Sequence, residues 1–295
     1  MAKLYWNSSM SLRPVSITED SSLQKNKHKI NLSYLTCGDC HPLDTIKIAS
    51  KLGYDSLGFR LMPSGPNQGP FVLMDSEKTC REAVILLRDL GIKALDIEII
   101  KIDKNFDVRD YKKLFEKASQ LGAGHLVVIG QDKVFERLVN NFTILCESAG
   151  KFDLTIELEF MPWTSVPDLA TANDIILRSK KQNSGILMDA LHIDRSNISF
   201  SQIKNINPNF VNIFQFCDAS RVYDASEKSM LFVSRNNRLF PGDGELDLLS
   251  LAHTMHDHIT VSVEVPNHEL AKKMSGFDRA SLGIKRIKNI LEQIS

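Results

Sequence analysis

Short apolar runs alternate with longer amphipathic runs from Ile30 to the C-terminus, and no other feature of the sequence constrains the fold as much. The apolar runs have the length of strands, and the amphipathic runs have the length of helices. The predicted strands are Ile30–Thr36, Ser56–Leu61, Ala94–Ile102, His125–Gly130, Leu154–Phe160, Ile186–Leu191, Phe210–Phe216 and Thr260–Val265. The predicted helices are Pro42–Leu52, Ser76–Leu90, Val108–Leu121, Lys133–Ala149, Asp168–Lys180, Phe200–Ile206, Asp247–Asp257 and His268–Glu292. Such alternation is typical of parallel strands joined by crossover helices.

Eight strand–helix units in a chain of 295 residues are the content of an α/β protein with one closed (β/α)8 barrel, the TIM barrel. An open doubly wound sheet is the alternative, and it would need a Gly-rich phosphate-binding turn after the first strand. The first strand is followed instead by Cys37-Gly-Asp-Cys-His41. We therefore predict a single TIM-barrel domain at residues 29–295. It follows an N-terminal extension, residues 1–28, that lacks the apolar core of a signal peptide.

Charge and composition restrict the class of partner. Lys+Arg and Asp+Glu both number 36, so the chain lacks the basic excess of a nucleic-acid-binding protein. No run approaches 18 uncharged apolar residues, so no membrane span is predicted. Five sparse cysteines are typical of reduced thiols in the cytoplasm. We expect a cytoplasmic protein that acts on a small molecule, and assembly into a homo-oligomer is left open.

Oxygen-bearing side chains end the last four predicted strands. In a TIM barrel, the C-terminal ends of the strands build the active site. Side chains alternate between the barrel interior and the helix layer, so outward packing of Ile156 and Leu158 directs Glu157 and Glu159 inward. Glu157 then lies about 6.6 Å deeper than Glu159, at roughly 3.3 Å per residue. The side chains at the barrel mouth are Glu159, Asp189, Gln215 and Glu264.

Three buried carboxylates in one place repel one another unless a cation binds them. We predict one divalent metal ion with four ligands, Glu159, Asp189, Gln215 and Glu264. An all-oxygen set favours Mn²⁺ or Mg²⁺, with Zn²⁺ or Co²⁺ as alternatives. For any single one of these residues, an ion pair with Arg or Lys inside the barrel is the competing interpretation.

Other polar residues at strand ends are candidates for substrate binding. Glu98 in the third strand and Arg60 near the end of the second could contact substrate or pair with each other. The long connection Ala219–Phe240 predicts a cover over the site, because long loops in compact domains are often functional. Arg238 in this connection is the predicted substrate contact.

Two further clusters lack the context that a functional site needs. Cys37 and Cys40 form a lone CxxC, and a zinc site would need a second pair. His253, His256 and His258 precede the last strand, which places them at the end of the barrel away from the chemistry. We therefore expect a loop and a solvated surface, respectively.

Five segments together resemble the sugar phosphate isomerase/epimerase family, the xylose isomerase-like TIM barrels, which include ketose 3-epimerases, inosose dehydratases and, more distantly, endonuclease IV. They are Glu157-Leu-Glu-Phe-Met-Pro-Trp163, Asp189-Ala-Leu-His192, Gln215-Phe-Cys-Asp218, Arg238-Leu-Phe-Pro-Gly-Asp-Gly244 and Ser262-Val-Glu-Val265. The resemblance covers Ile30 to the C-terminus.

The resemblance implies a role for each predicted site residue. The four strand-end residues would be the metal ligands, and Glu159 and Glu264 would also be the catalytic acid/base pair. His192 and Arg238 would touch substrate hydroxyls. Gln215 stands where the common pattern has His, although a subset of the family carries Gln there. Thr164 and Ser165 offer no second Glu of the kind that ketose 3-epimerases use.

Such a site favours proton transfer next to a carbonyl, because a base meets the C–H while the metal stabilises the developing enediolate. We predict a metal-dependent isomerase or epimerase, or a dehydratase, of a sugar or sugar-like polyol ketone. One alternative is a hydrolase with the endonuclease IV-like fold, which would need several metals and many His ligands. The other is a non-catalytic sugar-binding barrel, which would not need both Glu159 and Glu264. Neither the substrate nor its phosphorylation follows from the sequence.

Overall fold

The structure is a computed structural model that describes residues 28–65 and 68–294. Its strands are β1 (Ile30–Leu32), β2 (Ser56–Arg60), β3 (Lys93–Ile102), β4 (His125–Gly130), β5 (Thr155–Glu159), β6 (Ser184–Asp189), β7 (Ile213–Phe216) and β8 (Thr260–Val263). Each strand pairs in parallel with the next in the chain, and β8 pairs with β1 to close the barrel. The predicted (β/α)8 TIM barrel is confirmed.

Helices surround the barrel. They are α1 (Pro42–Leu52), α2 (Val72–Asp75), α3 (Glu77–Leu90), α4 (Lys112–Leu121), α5 (Phe135–Gly150), α6 (Leu169–Ser179), α7 (Ala190–Arg195), α8 (Phe200–Lys204), α9 (Glu227–Asn236), α10 (Leu248–Ala252), α11 (His268–Lys273) and α12 (Gly276–Leu291). Short 3-10 helices occupy Tyr34–Thr36, Val108–Tyr111 and Pro208–Phe210. No helix in the described part of the chain is long and apolar enough to cross a membrane.

Local sequence signals explain where the predicted helices begin and end. Pro42 starts α1 because its fixed φ suits the first helical position. Gly53 and Gly91 end α1 and α3 with φ of 79° and 66°, a left-handed conformation that glycine adopts without strain. Ser76 caps α3 by accepting a hydrogen bond from the backbone N–H of Thr79. The prediction of Pro42–Leu52 as a helix is therefore confirmed at both ends.

Capping also explains two differences from the predicted elements. The sixth strand was predicted to reach Leu191, but it ends at Asp189, whose side chain caps α7. The predicted single helix His268–Glu292 is two helices. Ser275 and Asp278 form a capping box that starts a new helix at α12.

The connection after β7 is more ordered than predicted. Residues 219–240 contain the ten-residue helix α9 rather than an open loop. The helix predicted at Asp247–Asp257 is shorter and ends at Ala252. The predicted extension at residues 1–28 lies outside the described residues except for His28. The ring Nδ1 of His28 lies 3.1 Å from the carbonyl oxygen of Ile259.

Strand alternation separates the core into two parts. Leu126 and Val128 of β4 pack outward against the helices in the main core. Val127, between them, points into the barrel and forms a small separate cluster with Leu187 and Ile213. This apolar cluster occupies one side of the barrel interior, so the polar side chains of the other strands share the remaining space.

A layer of polar side chains lies one level below the barrel mouth, and four of them, Asn31, Asp96, Glu157 and Ser262, each come two residues before a polar residue at the mouth. Asn31 donates to Ser262 Oγ at 2.8 Å and to Asp96 Oδ1 at 3.3 Å. Glu157 Oε1 lies 2.7 Å from His125 Nδ1 and accepts a 2.8 Å hydrogen bond from Asn212 Nδ2. The second carboxylate oxygens of Asp96 and Glu157 have no hydrogen-bond partner among the described residues.

Asp96→Asn is expected to stabilise the protein at alkaline pH. Burial raises the pKa of Asp96 to about 7, against the opposing effect of His125. An unfolded aspartate titrates near pH ~4, so between about pH 4 and 7 the folded state holds the extra proton. The free energy of unfolding therefore falls as the pH rises through this window. The variant lacks this loss, so its Tm should exceed that of the wild type by a few degrees at pH 8.

Thermal melts from pH 4 to pH 8 test this expectation. The Tm difference between Asp96→Asn and the wild type should grow across this range and be smallest at its acid end. A difference that stays constant with pH would show that Asp96 does not titrate in this window.

Candidate metal centre and active site

The four predicted strand-end residues lie together at the barrel mouth. Glu159 and Asp189 are the last residues of β5 and β6, and Gln215 lies in register with Asp189 on β7. Glu264 directly follows β8. Each is at most 5% exposed. The C-terminal ends of parallel strands meet at one end of the barrel, which is why residues far apart in the chain share this place.

Three side chains form a group that could hold a metal ion. The ligand atoms of Glu159, Asp189 and His192 all lie within 4.8 Å of one another. His192 Nε2 is 3.4 Å from Glu159 Oε1 and 4.0 Å from Asp189 Oδ1. His192 reaches this position because Asp189 Oδ1 accepts the backbone N–H groups of Leu191 and His192 at 2.9 and 3.0 Å. One aspartate thus caps α7 and places the imidazole beside the carboxylates.

This group differs from the all-oxygen ligand set that the sequence predicted. His192 was predicted to contact substrate, and the structure places its Nε2 beside Glu159 and Asp189; its contact with a substrate stays a prediction. The signal that could have indicated this was the spacing Asp189-x-x-His192 at the start of a helix, which puts both side chains on one face. An imidazole among the ligands extends the suitable ions from Mn²⁺ and Mg²⁺ toward Zn²⁺ and Co²⁺.

Arg238 lies between two of the predicted ligands. Its Nη1 is 2.5 Å from Asp189 Oδ2 and 3.0 Å from Glu264 Oε2, and its Nε donates to the carbonyl of Ser234. Burial disfavours the charged form of Asp189, but Arg238 and His192 outweigh it and hold the pKa of this carboxyl below its usual value. The sequence left open, as an alternative to a metal, that a cation inside the barrel pairs with these carboxylates. Arg238 forms such ion pairs with Asp189 and Glu264. Contact of Arg238 with a substrate stays a prediction.

Glu264 is held by a dense set of hydrogen bonds. Its Oε1 accepts from Gln215 Nε2 at 2.9 Å and from Ser33 Oγ at 2.8 Å. Burial raises the pKa of Glu264 to about 8, although Arg238 opposes this effect, and Glu98 and Asp189 add to it. The side chain can therefore carry a proton at neutral pH.

Glu98 and Arg60 form a second polar group beside Glu264. Arg60 Nη2 donates to Glu98 Oε2 at 2.9 Å, and the guanidinium lies over the ring of Tyr34. Burial raises the pKa of Glu98 to about 7, with Arg60 opposing. Ser33 Oγ lies 3.0 Å from Glu98 Oε1 and 2.8 Å from Glu264 Oε1. A hydroxyl donates one proton at a time, so one of the two carboxyl groups must be the donor when both contacts form.

Ser33 was not predicted as a site residue, because a serine at the end of the first strand carries no charge pattern. For Arg60 and Glu98 the sequence left two alternatives, contact with substrate or an ion pair with each other, and the structure contains the ion pair. Contact of either residue with a substrate stays a prediction.

The donor set fits a divalent cation. Gln215 Oε1 and His192 Nδ1 are buried and have no hydrogen-bond partner in the described part of the chain. The Glu159 carboxylate is buried, and within those residues its one ion-pair neighbour is His192. A buried carboxylate and a buried amide oxygen without donors are costly unless a cation binds them.

A cavity of about 400 Å³ opens above these residues, a volume in the range of small-molecule sites. Glu159, Gln215 and Glu264 line it at the barrel mouth. Trp163 also lines it, with its ring 5.2 Å from that of His192 in an edge-on arrangement. Further lining residues include Arg60, Glu98, Lys101, Ser234, Arg235, Asn236 and Arg238. Helix α9 thus supplies part of the wall, as expected of a cover over the site.

The two clusters set aside in the sequence lie outside this cavity. His258 Nε2 lies 3.1 Å from the carbonyl oxygen of Val211, ahead of β7 and so at the opposite end of the barrel. Cys37 and Cys40 are free thiols beside Gly276 at the start of α12. Neither cluster belongs to the candidate metal group.

Comparison with known proteins places this geometry in a family. The family model of xylose isomerase-like TIM barrels matches residues 46–290. The inosose isomerase of Bacillus licheniformis is 23% identical over 178 residues, which are 56% of this chain and 62% of that protein. The chain thus spans less than two thirds of that relative. The inosose isomerase of Bacillus velezensis is 22% identical over 247 residues, 77% of this chain and 84% of that protein.

A solved structure shows the same fold. The IolI protein, determined with a bound zinc atom, matches with a TM-score of 0.76 at 20% identity, over 90% of this chain and 99% of that one. The matched region includes Glu159, Asp189, His192 and Glu264, so the resemblance read from the sequence motifs is confirmed. The chain belongs to the xylose isomerase-like TIM barrel family.

Proposed function

We propose that the protein is a divalent-metal-dependent isomerase or epimerase that transfers a proton next to the carbonyl of a sugar-like polyol ketone. One observation carries this proposal: two buried glutamates, Glu159 and Glu264, line one cavity beside a group of metal-binding side chains. The inosose isomerase relatives support a polyol ketone as the substrate class. A dehydratase would use the same groups, with the proton delivered to a leaving hydroxyl instead.

Glu159, Asp189 and His192 would hold the metal, and the unpartnered Oε1 of Gln215 would add a neutral oxygen. A mixed nitrogen and oxygen set suits Zn²⁺, Co²⁺ or Mn²⁺ better than Mg²⁺. When bound, the metal supplies positive charge that polarises the substrate carbonyl. Glu264 was also a predicted ligand, but Arg238 and Ser33 hold its carboxylate in this structure.

Glu264 would therefore serve as the proton-transfer group. Its hydrogen bonds to Ser33 and Gln215 fix the carboxyl at the cavity wall, so its orientation is set before substrate binds. Glu159 faces the same cavity from β5 and is the candidate for the second proton transfer. Arg60 and Glu98 would contact substrate hydroxyls, and the apolar side chains of the wall would limit water around the reacting carbon.

Two other functions are weaker for physical reasons. A hydrolase of the endonuclease IV type would need a cluster of metals, and residues 28–65 and 68–294 contain one group of three side chains within metal-binding distance. A sugar-binding barrel without activity would use the same cavity but would gain nothing from a carboxyl group held for proton transfer. The neutral net charge supports a small-molecule partner rather than nucleic acid, and the five sparse cysteines support a location in the cytoplasm.

The proposed function is tested by incubating the protein in D₂O with Mn²⁺ or Zn²⁺ and a panel of ketoses and inososes. We expect NMR to show deuterium at the carbon next to the carbonyl together with an isomeric product, and EDTA to stop both. A protein that binds metal and a panel compound, as calorimetry would show, without deuterium exchange would be a binding barrel.

A further inference from the structure

One wall of the cavity carries positive charge that carboxylates do not balance. Arg60, Lys101 and Arg235 all line it. Arg60 pairs with Glu98. Lys101 and Arg235 have no carboxylate oxygen within 4 Å in the part of the chain that the structure describes, and this unbalanced pair is the feature to explain.

Lys101 comes from the C-terminal end of β3 and is partly buried. Its ammonium group donates to the backbone carbonyl of Ser64, in the loop after β2. That bond uses one of three N–H donors and supplies no negative charge. Burial lowers the pKa of Lys101, and the nearby charges of Arg235 and Arg60 lower it further, against a smaller opposing effect of Asp103. Lys101 is thus close enough to both arginines to be repelled by them.

Arg235 comes from the last turn of α9, between Ser234 and Asn236, which also line the cavity. A cation near a helix C-terminus is favourable by itself, and this is the ordinary role for such a residue. That role does not account for the second cation, Lys101, which belongs to a different element and faces the same space. Two elements therefore converge on one place with the same sign of charge.

We propose that Lys101 and Arg235 form a subsite for an oxyanion, so that the substrate is an acidic polyol ketone that carries a phosphate or a carboxylate. This inference rests on the proposed function for the reacting end of the substrate. An oxyanion between the two side chains would remove their repulsion and accept charge-assisted hydrogen bonds from both.

The shape of the site also favours a substrate that extends beyond the 400 Å³ cavity at the barrel mouth. A second cavity of about 670 Å³ shares Arg60, Gln68, Arg235 and His268 with the first. The two cavities meet at the basic wall, so an anionic group there can lie away from the metal-binding side chains. The buried carboxylates at the other end would repel the anionic group, and this fixes which end of the substrate meets Glu264.

Binding of inorganic phosphate to the metal-free protein tests the subsite without any turnover. EDTA-treated wild type should bind phosphate saturably by ³¹P NMR titration, and added neutral salt should weaken binding. Lys101→Met and Arg235→Met should each weaken it about tenfold, the loss expected for one charge-assisted hydrogen bond. Lys93→Met on β3 and Lys228→Met on α9 are matched controls. Each removes one exposed charge from the same element outside the cavity and should leave binding unchanged.

Kinetics of fructose, fructose 6-phosphate and fructuronate then distinguish a phosphate from a carboxylate. The acidic substrate that fits should show a kcat/KM at least tenfold above that of fructose, and Lys101→Met and Arg235→Met should remove most of this preference. The variants should lower kcat/KM for the acidic substrate at least tenfold more than they change kcat/KM for fructose.

Two results would overturn the subsite. The first is that the double variant Lys101→Met/Arg235→Met still binds phosphate as the wild type does. The second is that the wild type prefers the neutral ketose and that neither single variant changes this preference. In the second case, metal-dependent deuterium exchange with fructose would leave the proposed function standing. Failure of the proposed function would give a different result: the variants would weaken phosphate binding, but the wild type would show no deuterium exchange with any of the substrates.

Discussion

Glu264→Gln is expected to lose about 10²–10⁴-fold in kcat, the usual contribution of a positioned acid or base. Glutamine keeps the size of the side chain and an oxygen that can accept from Ser33, but it cannot transfer a proton. Arg238 keeps its 2.5 Å partner Asp189, so the barrel should fold with little change in Tm. Turnover measured with Mn²⁺ or Zn²⁺, and solvent deuterium in the recovered substrate, check the expectation.

Glu98→Gln is the matched control for this experiment. Glu98 is buried in the same cavity, lies within hydrogen-bond distance of the same Ser33 and pairs with an arginine, as Glu264 does. Its loss should raise KM and leave deuterium exchange in place, because its proposed role is to bind the substrate. Normal deuterium uptake by Glu264→Gln, or its loss in Glu98→Gln alone, would move the proton transfer from Glu264 to Glu98.

Glu159→Gln is expected to weaken metal binding on the order of 100-fold or more, since loss of outer-shell partners alone costs about 10–100-fold. A ligand that binds the folded state stabilises it by about 2.7 kcal/mol at a concentration of 100 times Kd. Wild type should therefore gain several degrees in Tm when Mn²⁺ or Zn²⁺ is added, and the variant should gain little. Without metal, the variant should melt at or above the wild-type temperature, because it lacks a buried carboxylate that has few partners.

Glu157→Gln is expected to give the opposite result to Glu159→Gln, with metal affinity kept and stability lost. Glu157 lies on the same face of β5, two residues deeper, and contacts His125 and Asn212 instead of the candidate metal group. The variant should keep wild-type metal affinity by calorimetry and lose stability without metal, since His125 loses its carboxylate. If Glu157→Gln lost metal and Glu159→Gln kept it, the metal site would lie one layer deeper than we propose.

Much of this site could be predicted from the sequence because parallel strands obey simple geometric rules. All the strands of a TIM barrel end on one face, so Glu159, Asp189, Gln215 and Glu264 were expected together and are found together. The alternation of β5 directed both glutamates inward, and the contacts of Glu157 and Glu159 agree with it. These conclusions need the periodicity of each strand and no knowledge of which side chains meet.

Which polar atoms pair inside the mouth could not be predicted in this way. Arg238 lies 49 positions after Asp189 in the chain, and it enters the space between Asp189 and Glu264 because the backbone returns to the barrel after α9. His192 joins the candidate metal group because the strand ends at Asp189, two residues earlier than the apolar pattern predicted, and Asp189 then caps α7. Each outcome depends on a few ångströms of backbone position, which residue spacing alone does not determine.

By itself, the sequence determined the barrel, the face that carries the candidate site and the strand-end residues found there, because these follow from hydrophobic periodicity and from the parallel direction of the strands. The tertiary structure alone decided which cation faces which carboxylate. Arg238 compensates Asp189 and Glu264, Arg60 compensates Glu98, and Lys101 is left without a carboxylate among the residues described. The reason is that Coulomb energies and hydrogen bonds change steeply over one or two ångströms, and only the closed barrel defines distances on that scale.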